Sequence, residues 1–238
     1  MRDLFWSGGY NVRDLGGLPT TDGGQTVPGR VVRSATLDRL TESGWAALLA
    51  HGVRTVIDLR SEGESEPLLA TRPDTVTVVA VPIDDLAGQD WYQSVRMLDG
   101  TPRIFERYLS DRPAAVAAVI KAIAAAESGG VVVHCAGGRD RTGLASLVLL
   151  ALAGAEPAAI AGDYVLSYDR QRAAWAALGK SERLDSLDYI DQVLAEAGIT
   201  AHDAALAVLA GCDIRRALAQ ADVTTAEFDA VRARLRDQ

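Results

Sequence analysis

The sequence predicts an α/β fold in which helices cover both faces of a mainly parallel central sheet. Apolar, β-branched runs alternate with segments of helical periodicity through the first 169 residues, and no strand signal follows them. Strands that alternate with helices are joined by crossovers, which make the strands parallel and bury both faces of the sheet. We therefore expect an α/β core over residues 1–169 and a helical extension over residues 170–238 that packs on the core.

The strand signals differ in strength along the chain. Residues 53–59 and 76–81 are apolar runs of strand length. Residues 131–135 contain the unbroken run Val131-Val132-Val133, which suits the centre of a sheet that is buried on both faces. Residues 25–34 predict shorter β segments that Pro28-Gly29 interrupts.

Helix signals fill the spaces between the strands and the whole C-terminal quarter. Some of these helices begin at a proline, which the first helical turn tolerates because its amide needs no partner. One ends before Gly198, and the last begins at Thr224 with Glu227 three residues on, the pattern of a capping box. The predicted helices span residues 41–51, 102–109, 113–127, 144–153, 157–168, 185–197, 200–210, 213–221 and 224 onward.

Composition limits the classes of partner. Hydrophobic residues make up 48% of the 238 residues, enough for a substantial core, and the formal net charge is −8. Nucleic acids and anionic membrane surfaces favour a basic face, so we expect neither as the main partner. No apolar stretch approaches the ~20 residues of a membrane span, and the N-terminus has no apolar run of signal-peptide length. These observations favour a cytoplasmic location and leave secretion without a signal peptide open.

The chain has two cysteines, Cys135 and Cys212, which lie far apart in the sequence. They form neither a metal-ligand spacing nor a disulfide framework, and we expect neither a metal nor a cofactor. A reactive Cys135 has to stay a thiolate, which favours a reducing compartment. Cys212 follows Ala210-Gly211 in the helix-rich region and is expected to be a packing residue.

One segment carries most of the chemical information, and it reads His134-Cys135-Ala136-Gly137-Gly138-Arg139-Asp140-Arg141-Thr142-Gly143. It is a glycine-rich loop between an apolar strand and a strong helix former. A helix N-terminus presents unpaired N–H groups and a partial positive charge, which suit an anion. Cys135 and Arg141 can face that anion together, which fits a cysteine that attacks a phosphate ester. The alternative is a buried, inert thiol, which leaves the arginines and the aspartate unexplained.

This segment resembles the Cys-x5-Arg loop of the protein tyrosine phosphatase superfamily. It is most similar to the bacterial branch of tyrosine and lipid phosphatases, whose loop reads His-Cys-x-x-Gly-Lys-Asp-Arg-Thr-Gly. The resemblance spans roughly residues 9 to 170 and implies a phosphatase-like fold and a cysteinyl-phosphate intermediate. Further matching segments are Asn11-Val12-Arg13-Asp14-Leu15-Gly16-Gly17, Val31-Val32-Arg33-Ser34-Ala35 and Ile57-Asp58-Leu59-Arg60-Ser61, the last followed by Glu64 or Glu66.

The loop chemistry and the resemblance assign roles to its residues. Cys135 is the expected nucleophile, and Arg141 and the loop amides are expected to hold the phosphate oxygens. Thr142 either donates its hydroxyl to the cysteine sulfur or caps the helix. His134 is expected to be buried and to orient the loop, because its side chain points away from that of its neighbour. The expected phosphate-binding residues are Ala136, Gly137, Gly138, Arg139, Thr142 and Gly143.

The proton for the leaving group has more than one candidate source. In the resembling branch the aspartate within the loop supplies it, and that aspartate is Asp140 here. The alternatives are Asp84 and Asp85, which follow a predicted strand. Asp140 could instead orient an arginine, and the arginines considered are Arg13, Arg60 and Arg139.

A supporting group is expected where predicted strands end. Asp58 and Arg60 lie at the carboxyl end of a strand, the edge at which α/β proteins collect their ligand sites. Arg60 is a candidate substrate contact or support, and its alternative is an exposed ion pair with Glu62 or Glu64. The expected supporting residues are His134, Asp58, Arg60 and Arg13.

Arg139 bears on the substrate, because the resembling branch has a lysine there that is associated with phosphoinositides as well as phosphoproteins. An arginine at this position keeps the positive charge of the lysine but carries it on a planar guanidinium fork. The sequence is therefore compatible with a substrate that has a second anionic group. Aromatic residues make up only 5% of the chain. The candidates for the wall of a phenyl-binding site are Trp6, Tyr10, Trp91 and Tyr92.

Three functions follow as hypotheses. The first is a protein tyrosine phosphatase, with dual or phosphoinositide specificity as an extension. The second is a phosphatase for a small metabolite such as a nucleotide, sugar or inositol phosphate, and the third is a non-catalytic phosphate-binding module. The intact Cys135, Asp140 and Arg141 argue against the module, and Arg141-Thr142 disfavours a sulfur transferase. The helical extension is either a buttress or, as the resemblance implies, a lid over the site.

Overall fold

A computed structural model describes residues 2–68 and 70–236, with the side chains of residues 181–183 left out. Its sheet has the strand order β1-β2-β5-β3-β4, in which β1 is antiparallel to β2 and all other pairs are parallel. The predicted α/β class is therefore confirmed. The strands are β1 (Arg13–Asp14), β2 (Val31–Ser34), β3 (Val53–Asp58), β4 (Thr77–Ala80) and β5 (Gly130–His134).

Helices account for most of the remaining described residues. Before the last strand they are α1 (Glu42–Ala50), α2 (Ile83–Ala87), α3 (Gln89–Val95), a 3₁₀ turn (Arg96–Leu98), α4 (Arg103–Asp111) and α5 (Pro113–Ala124). After it they are α6 (Asp140–Leu152), α7 (Pro157–Ala177), α8 (Ser181–Glu196), α9 (Ala201–Gly211), α10 (Ile214–Gln220) and α11 (Thr225–Leu235). Within the described residues, no single helix is long and apolar enough to cross a membrane.

The central strand β5 is buried on both faces. Successive strand residues point to opposite faces. Val131 and Val133 accordingly join a large hydrophobic cluster that includes residues of α5 and α6, whereas Val132 joins a smaller cluster with Trp6 and Trp45 on the other face. The expected central position of this apolar run is confirmed.

The structure differs from the sequence prediction in the bounds of several helices, among them α8, which begins at Ser181 and not at Asp185, and in short elements that were not predicted. Helix α6 begins at Asp140, four residues before the predicted start, because its early glycine packs against a tyrosine ring instead of ending the loop. Helix α7 continues to Ala177, nine residues past the predicted end, since the polar run after Tyr168 contains no glycine or proline. The short strand β1 and the helical segment of α2 and α3 were not predicted, because elements of two to seven residues leave no clear periodicity.

The C-terminal helices pack on the α/β core. Helix α11 contacts α5 and α6, and α9 contacts α7 and α4, so that Leu218, Phe228 and Leu235 lie in the same hydrophobic cluster as Val131. The expected boundary between residues 169 and 170 falls inside the continuous helix α7. The predicted capping box of Thr224 and Glu227 is present.

Candidate active site

The predicted loop lies at the carboxyl edge of the sheet. The strands β2, β5 and β3 are in register at their ends, where Ser34, His134 and Asp58 lie side by side. The chain leaves β5 at Cys135 and enters α6 at Asp140. Cys135 lines a cavity of about 380 Å³ together with loop residues Ala136, Gly137, Arg139, Asp140 and Arg141. The structure therefore brings Cys135, Asp140 and Arg141 together at one cavity.

Three consecutive carbonyls of the loop are held from one side. The backbone N–H of Thr36 donates to the Ala136 carbonyl at 3.1 Å, and the Asn11 amide donates to the carbonyls of Gly137 at 3.2 Å and Gly138 at 3.0 Å. In a trans peptide the C=O and the following N–H point in opposite directions. The next three N–H groups, of residues 137–139, are therefore turned away from these donors and are free to meet an anion.

Gly138 is required by the path of the loop. Its φ of +71° lies in the left-handed region, and a Cβ there would come within 2.5 Å of the Ser34 carbonyl oxygen. Any other residue would clash with β2. Gly138 does not line the cavity with its own atoms; its peptide groups shape the turn.

Arg141 lies in the first turn of α6 and is held by two carboxylates. Its two terminal nitrogens contact the two Glu64 oxygens at 2.5 and 2.8 Å, and Nη1 lies 3.5 Å from an Asp84 oxygen. The sequence left Glu64 and Glu66 open as the motif's acid, and the structure places Glu64 on Arg141. These hydrogen bonds lower the pKa of Glu64, so it stays ionised and fixes the guanidinium fork.

The candidate acids occupy different positions around the cavity. Asp140 accepts hydrogen bonds from Arg139 at 2.9 and 3.1 Å, so of the three arginines considered as its partner the structure selects Arg139. Asp84 lines the same cavity, and its carboxylate accepts from the Tyr108 hydroxyl at 2.5 Å. Burial raises the pKa of Asp84. Asp85 does not line the cavity and accepts from Ser61 instead.

A further carboxyl group in the cavity was missed by the sequence analysis. Asp99 accepts a hydrogen bond from the Tyr92 hydroxyl at 2.8 Å, and burial together with the charge of Asp140 raises its pKa. Asp99 follows the 3₁₀ turn in an irregular segment, where no strand end or motif marked it.

The Arg139 side chain is buried and turned toward Asp140. It is 4% exposed, and its guanidinium carbon lies 5.0 Å from the centre of the Tyr168 ring. Because two of its nitrogens donate to Asp140, its charge is already neutralised locally. The third guanidinium nitrogen, Nη1, is buried without a hydrogen-bond partner among the described residues.

Thr142 and Gly143 lie within α6 and not on the cavity. Arg139 occupies the N-cap position, so the alternative that Thr142 caps the helix is wrong. The buried Thr142 hydroxyl has no hydrogen-bond partner among the described residues. A Cβ at Gly143 would lie 2.7 Å from the Tyr164 ring, so this glycine allows α6 and α7 to pack closely.

The expected supporting residues form a buried brace under the loop. His134 is 2% exposed, its Nδ1 lies 3.2 Å from the Cys135 carbonyl oxygen, and its Nε2 lies 3.6 Å from Asp58. Burial lowers the pKa of His134, which favours the neutral ring. Arg60 is buried and pairs with Asp58 and Asp38 at 2.7 and 2.5 Å, not with Glu62 or Glu64.

The aromatic wall of the cavity differs from the predicted one. Of the four candidates only Tyr92 lines it, whereas Trp6 packs in the smaller hydrophobic cluster and Trp91 packs edge-on against Tyr108. The other aromatic lining residues are Phe105, Tyr108, Trp175 and Tyr189. Tyr189 comes from α8, so the helical extension contributes to the wall. Among the described residues, no group of three or more His, Cys, Asp or Glu side chains is arranged to hold a metal ion.

A buried thiol, a clamped guanidinium and outward-facing loop amides thus lie together in a Cys-x5-Arg loop at the edge of a mainly parallel sheet. The model of a tyrosine phosphatase family matches residues 4–236, and the chain belongs to that family. Its fold is that of a protein tyrosine phosphatase-like protein.

Three curated relatives carry phosphatase names. The chain is 34% identical over 142 residues to a tyrosine-protein phosphatase of Nostoc commune, and the matched region covers 57% of this chain and 47% of the relative. It is 29% identical over 174 residues to a putative tyrosine-protein phosphatase of Cupriavidus necator, and this match covers 71% of this chain and 64% of the relative. It is 29% identical over 191 residues to the triple specificity protein phosphatase PtpB of Mycobacterium tuberculosis, covering 68% of each chain. The matches thus cover between about half and two thirds of these relatives.

Proposed function

We propose that the protein is a cysteine-dependent phosphomonoester hydrolase that acts on phosphotyrosine in proteins. The observation that carries this proposal is the shared cavity of Cys135 and Arg141, beside three loop amides whose carbonyls are held away from the anion. Family membership and the names of the relatives support it.

The residues support a two-step reaction. The Cys135 thiolate attacks phosphorus, the S–P bond forms, and the P–O bond to the leaving group breaks while an acid protonates the departing oxygen. The Arg141 fork and the loop amides stabilise the charge that develops on the equatorial oxygens. A water molecule then attacks the cysteinyl-phosphate, which releases inorganic phosphate and restores the thiolate.

The cavity walls favour an aryl phosphate. The aromatic side chains of Tyr92, Tyr108, Phe105 and Tyr189 line the cavity, and aromatic surface suits a phenyl ring. Arg139 is buried and pairs with Asp140 through Nε and Nη2, which leaves only Nη1 without a hydrogen-bond partner among the described residues and makes this side chain a weaker site for a second phosphate than an exposed, unpaired arginine. The preference for a phosphoprotein over a polyphosphorylated lipid therefore rests on the aromatic lining. Because Tyr189 and Ile190 of α8 line the cavity, we further propose that the helical extension covers the bound substrate.

A substrate panel tests the proposal. We expect phosphotyrosine peptides to be hydrolysed with a higher kcat/KM than phosphoserine and phosphothreonine peptides, phosphoinositides and small alkyl phosphomonoesters. A preference for a nucleotide, sugar or inositol phosphate would support the metabolite phosphatase instead. Binding of phosphate without turnover of any member would support the non-catalytic module.

We propose Asp140 as the general acid, because it lies at the end of the loop and lines the cavity. This role requires Asp140 to take up a proton in the substrate complex and to give up its ion pair with Arg139. An acid matters most when the leaving group is poor. We therefore expect Asp140→Asn to slow an alkyl phosphate by about 10²- to 10⁴-fold, to slow the phosphate of an acidic phenol much less, and to flatten the basic limb of the pH–rate profile. The measurement is the ratio of the two kcat/KM values as a function of pH.

The neighbouring aspartates provide the comparison for this experiment. Asp84→Asn tests the alternative acid, whose raised pKa keeps it protonated to higher pH than an ordinary aspartate. Asp85→Asn is the matched control, since Asp85 follows Asp84 directly but does not line the cavity. A selective loss in Asp84→Asn would move the role to that residue. Equal slowing of both substrates by Asp140→Asn would make Asp140 an orienting partner of Arg139.

A further inference from the structure

A cluster of charged side chains is buried directly behind the loop. Arg13 of β1 and Arg33 of β2 have side chains that are 0% and 1% exposed, and both pair with Asp163 of α7, at 2.9 and 2.7 Å. Arg2 makes a third ion pair with the same carboxylate at 2.7 Å. Three guanidinium groups thus share one carboxylate. Burying charge is costly, so an arrangement with surplus charge calls for a reason beyond packing.

The cluster is connected to the loop at two carbonyls. Arg33 Nη2 donates to the Gly138 carbonyl at 2.9 Å, and this carbonyl also accepts from Asn11 at 3.0 Å. Arg13 Nη1 donates to the Asn11 side-chain oxygen at 2.5 Å. This contact orients the Asn11 amide, because its oxygen faces Arg13 and its NH₂ group must then face the loop. The chain of contacts therefore runs from Asp163 through both arginines to the peptides of residues 137–139.

We propose that Asn11 and Arg33 are positioning residues that aim the loop amides at the phosphate, with Arg13 and Asp163 holding them in place. This inference rests on the proposed phosphatase function and adds residues to it. Asn11 itself adopts φ +53°, a left-handed conformation that few residues take without a local reason. Here that conformation brings its amide under two loop carbonyls at once.

The electrostatic consequence reaches the anion through the peptide groups. A guanidinium that donates to a peptide carbonyl polarises that peptide, which strengthens donation by the N–H at its other end. The Arg139 N–H belongs to the peptide whose carbonyl Arg33 and Asn11 hold. Burial alone raises the pKa of Asp163, but Arg13, Arg33 and Arg2 hold it well below its ordinary value. The Asp163 carboxylate therefore stays ionised across the physiological pH range and keeps its ion pairs with Arg13 and Arg33.

The test uses three variants and one anion. We would measure kcat, the inhibition constant of orthovanadate, and orthovanadate binding by calorimetry for Asn11→Gly, Asn11→Asp and Arg33→Lys. Asn11→Gly suits the positive φ and removes both the amide that donates to the loop and the oxygen that accepts from Arg13. Asn11→Asp keeps the shape but places a carboxylate against two carbonyls. We expect orthovanadate to bind roughly 10- to 100-fold more weakly to each, with kcat falling in parallel.

Arg234→Lys is the matched control. Arg234 also donates to backbone carbonyls, those of Ala126 and Gly129 at 2.6 and 2.7 Å. These carbonyls precede the N-terminal end of β5, whereas the candidate site lies at its C-terminal end. The Arg234→Lys variant should lose thermal stability without losing affinity for orthovanadate. The positioning role predicts that Asn11→Asp binds orthovanadate no better than Asn11→Gly, because its carboxylate faces two carbonyl oxygens. A packing role predicts instead that the isosteric aspartate stays closer to wild type than glycine.

The outcomes separate this inference from the proposed function. Unchanged orthovanadate affinity in a folded Asn11→Gly protein would overturn the positioning role, whatever the activity. Asn11-dependent binding in a wild-type protein that hydrolyses no phosphomonoester would uphold it and overturn the phosphatase function. If Arg33→Lys does not fold, the comparison of Asn11→Gly with Asn11→Asp still decides.

Discussion

Cys135→Ser is expected to abolish hydrolysis of every substrate in the panel while leaving the loop able to bind an anion. The serine hydroxyl is not ionised at neutral pH, so the nucleophile is lost, whereas the amides and Arg141 are untouched. Loss of a nucleophile that acts with its neighbours as a unit reduces kcat by roughly 10⁴-fold or more. The measurement is steady-state turnover of an aryl phosphate, with direct titration of inorganic phosphate to show that the anion site persists.

The second cysteine supplies the control for this experiment. Cys212 lies at the C-terminal end of α9, away from the cavity, and Cys212→Ser should keep wild-type turnover. The proposed reaction needs no metal, so activity should also survive EDTA. Turnover in Cys135→Ser near the wild-type rate would show that the reaction does not pass through this thiol, and inactivation by EDTA would show that it requires a metal ion.

Local patterns in the sequence were sufficient for the fold class and for the central motif. The run Val131-Val132-Val133 before a glycine-rich loop predicts a buried strand and a helix start, and both are local properties. The position of Cys135 and Arg141 at one cavity follows from the same few residues. The start of α6 was placed too late, because glycine at residue 143 serves close packing against Tyr164, a contact with another helix.

The partners of the loop could not be predicted, because they come from distant parts of the chain. Asp163 lies 150 residues from Arg13, and Glu64 lies 77 residues from Arg141. No periodicity or spacing links such pairs; only the folded sheet brings them together. The same holds for Arg139, whose charge the sequence suggested for a second phosphate. In the structure the Arg139 guanidinium pairs with its neighbour Asp140 and lies over the Tyr168 ring of α7.

Arg141→Lys is expected to lower kcat by about 10²-fold or more, although the charge at residue 141 is kept. The guanidinium of Arg141 is a planar fork clamped by the two oxygens of Glu64, and a planar fork can bind two phosphate oxygens at once. The lysine ammonium is a single point charge on a flexible stem. It should therefore bind the ground state adequately and stabilise the transition state poorly, so that kcat falls more than KM rises.

Two further variants isolate the cause of that loss. Glu64→Gln keeps Arg141 but weakens its clamp, and we expect a smaller fall in kcat in the same direction. Arg107→Lys is the control, because Arg107 likewise pairs with a carboxylate, Asp111 at 2.7 Å, but on an exposed face of α4. Its activity should be that of wild type. If Arg141→Lys turns over an aryl phosphate near the wild-type rate while Cys135→Ser is inactive, the fork is not what stabilises the transition state, and the loop amides must carry that role alone.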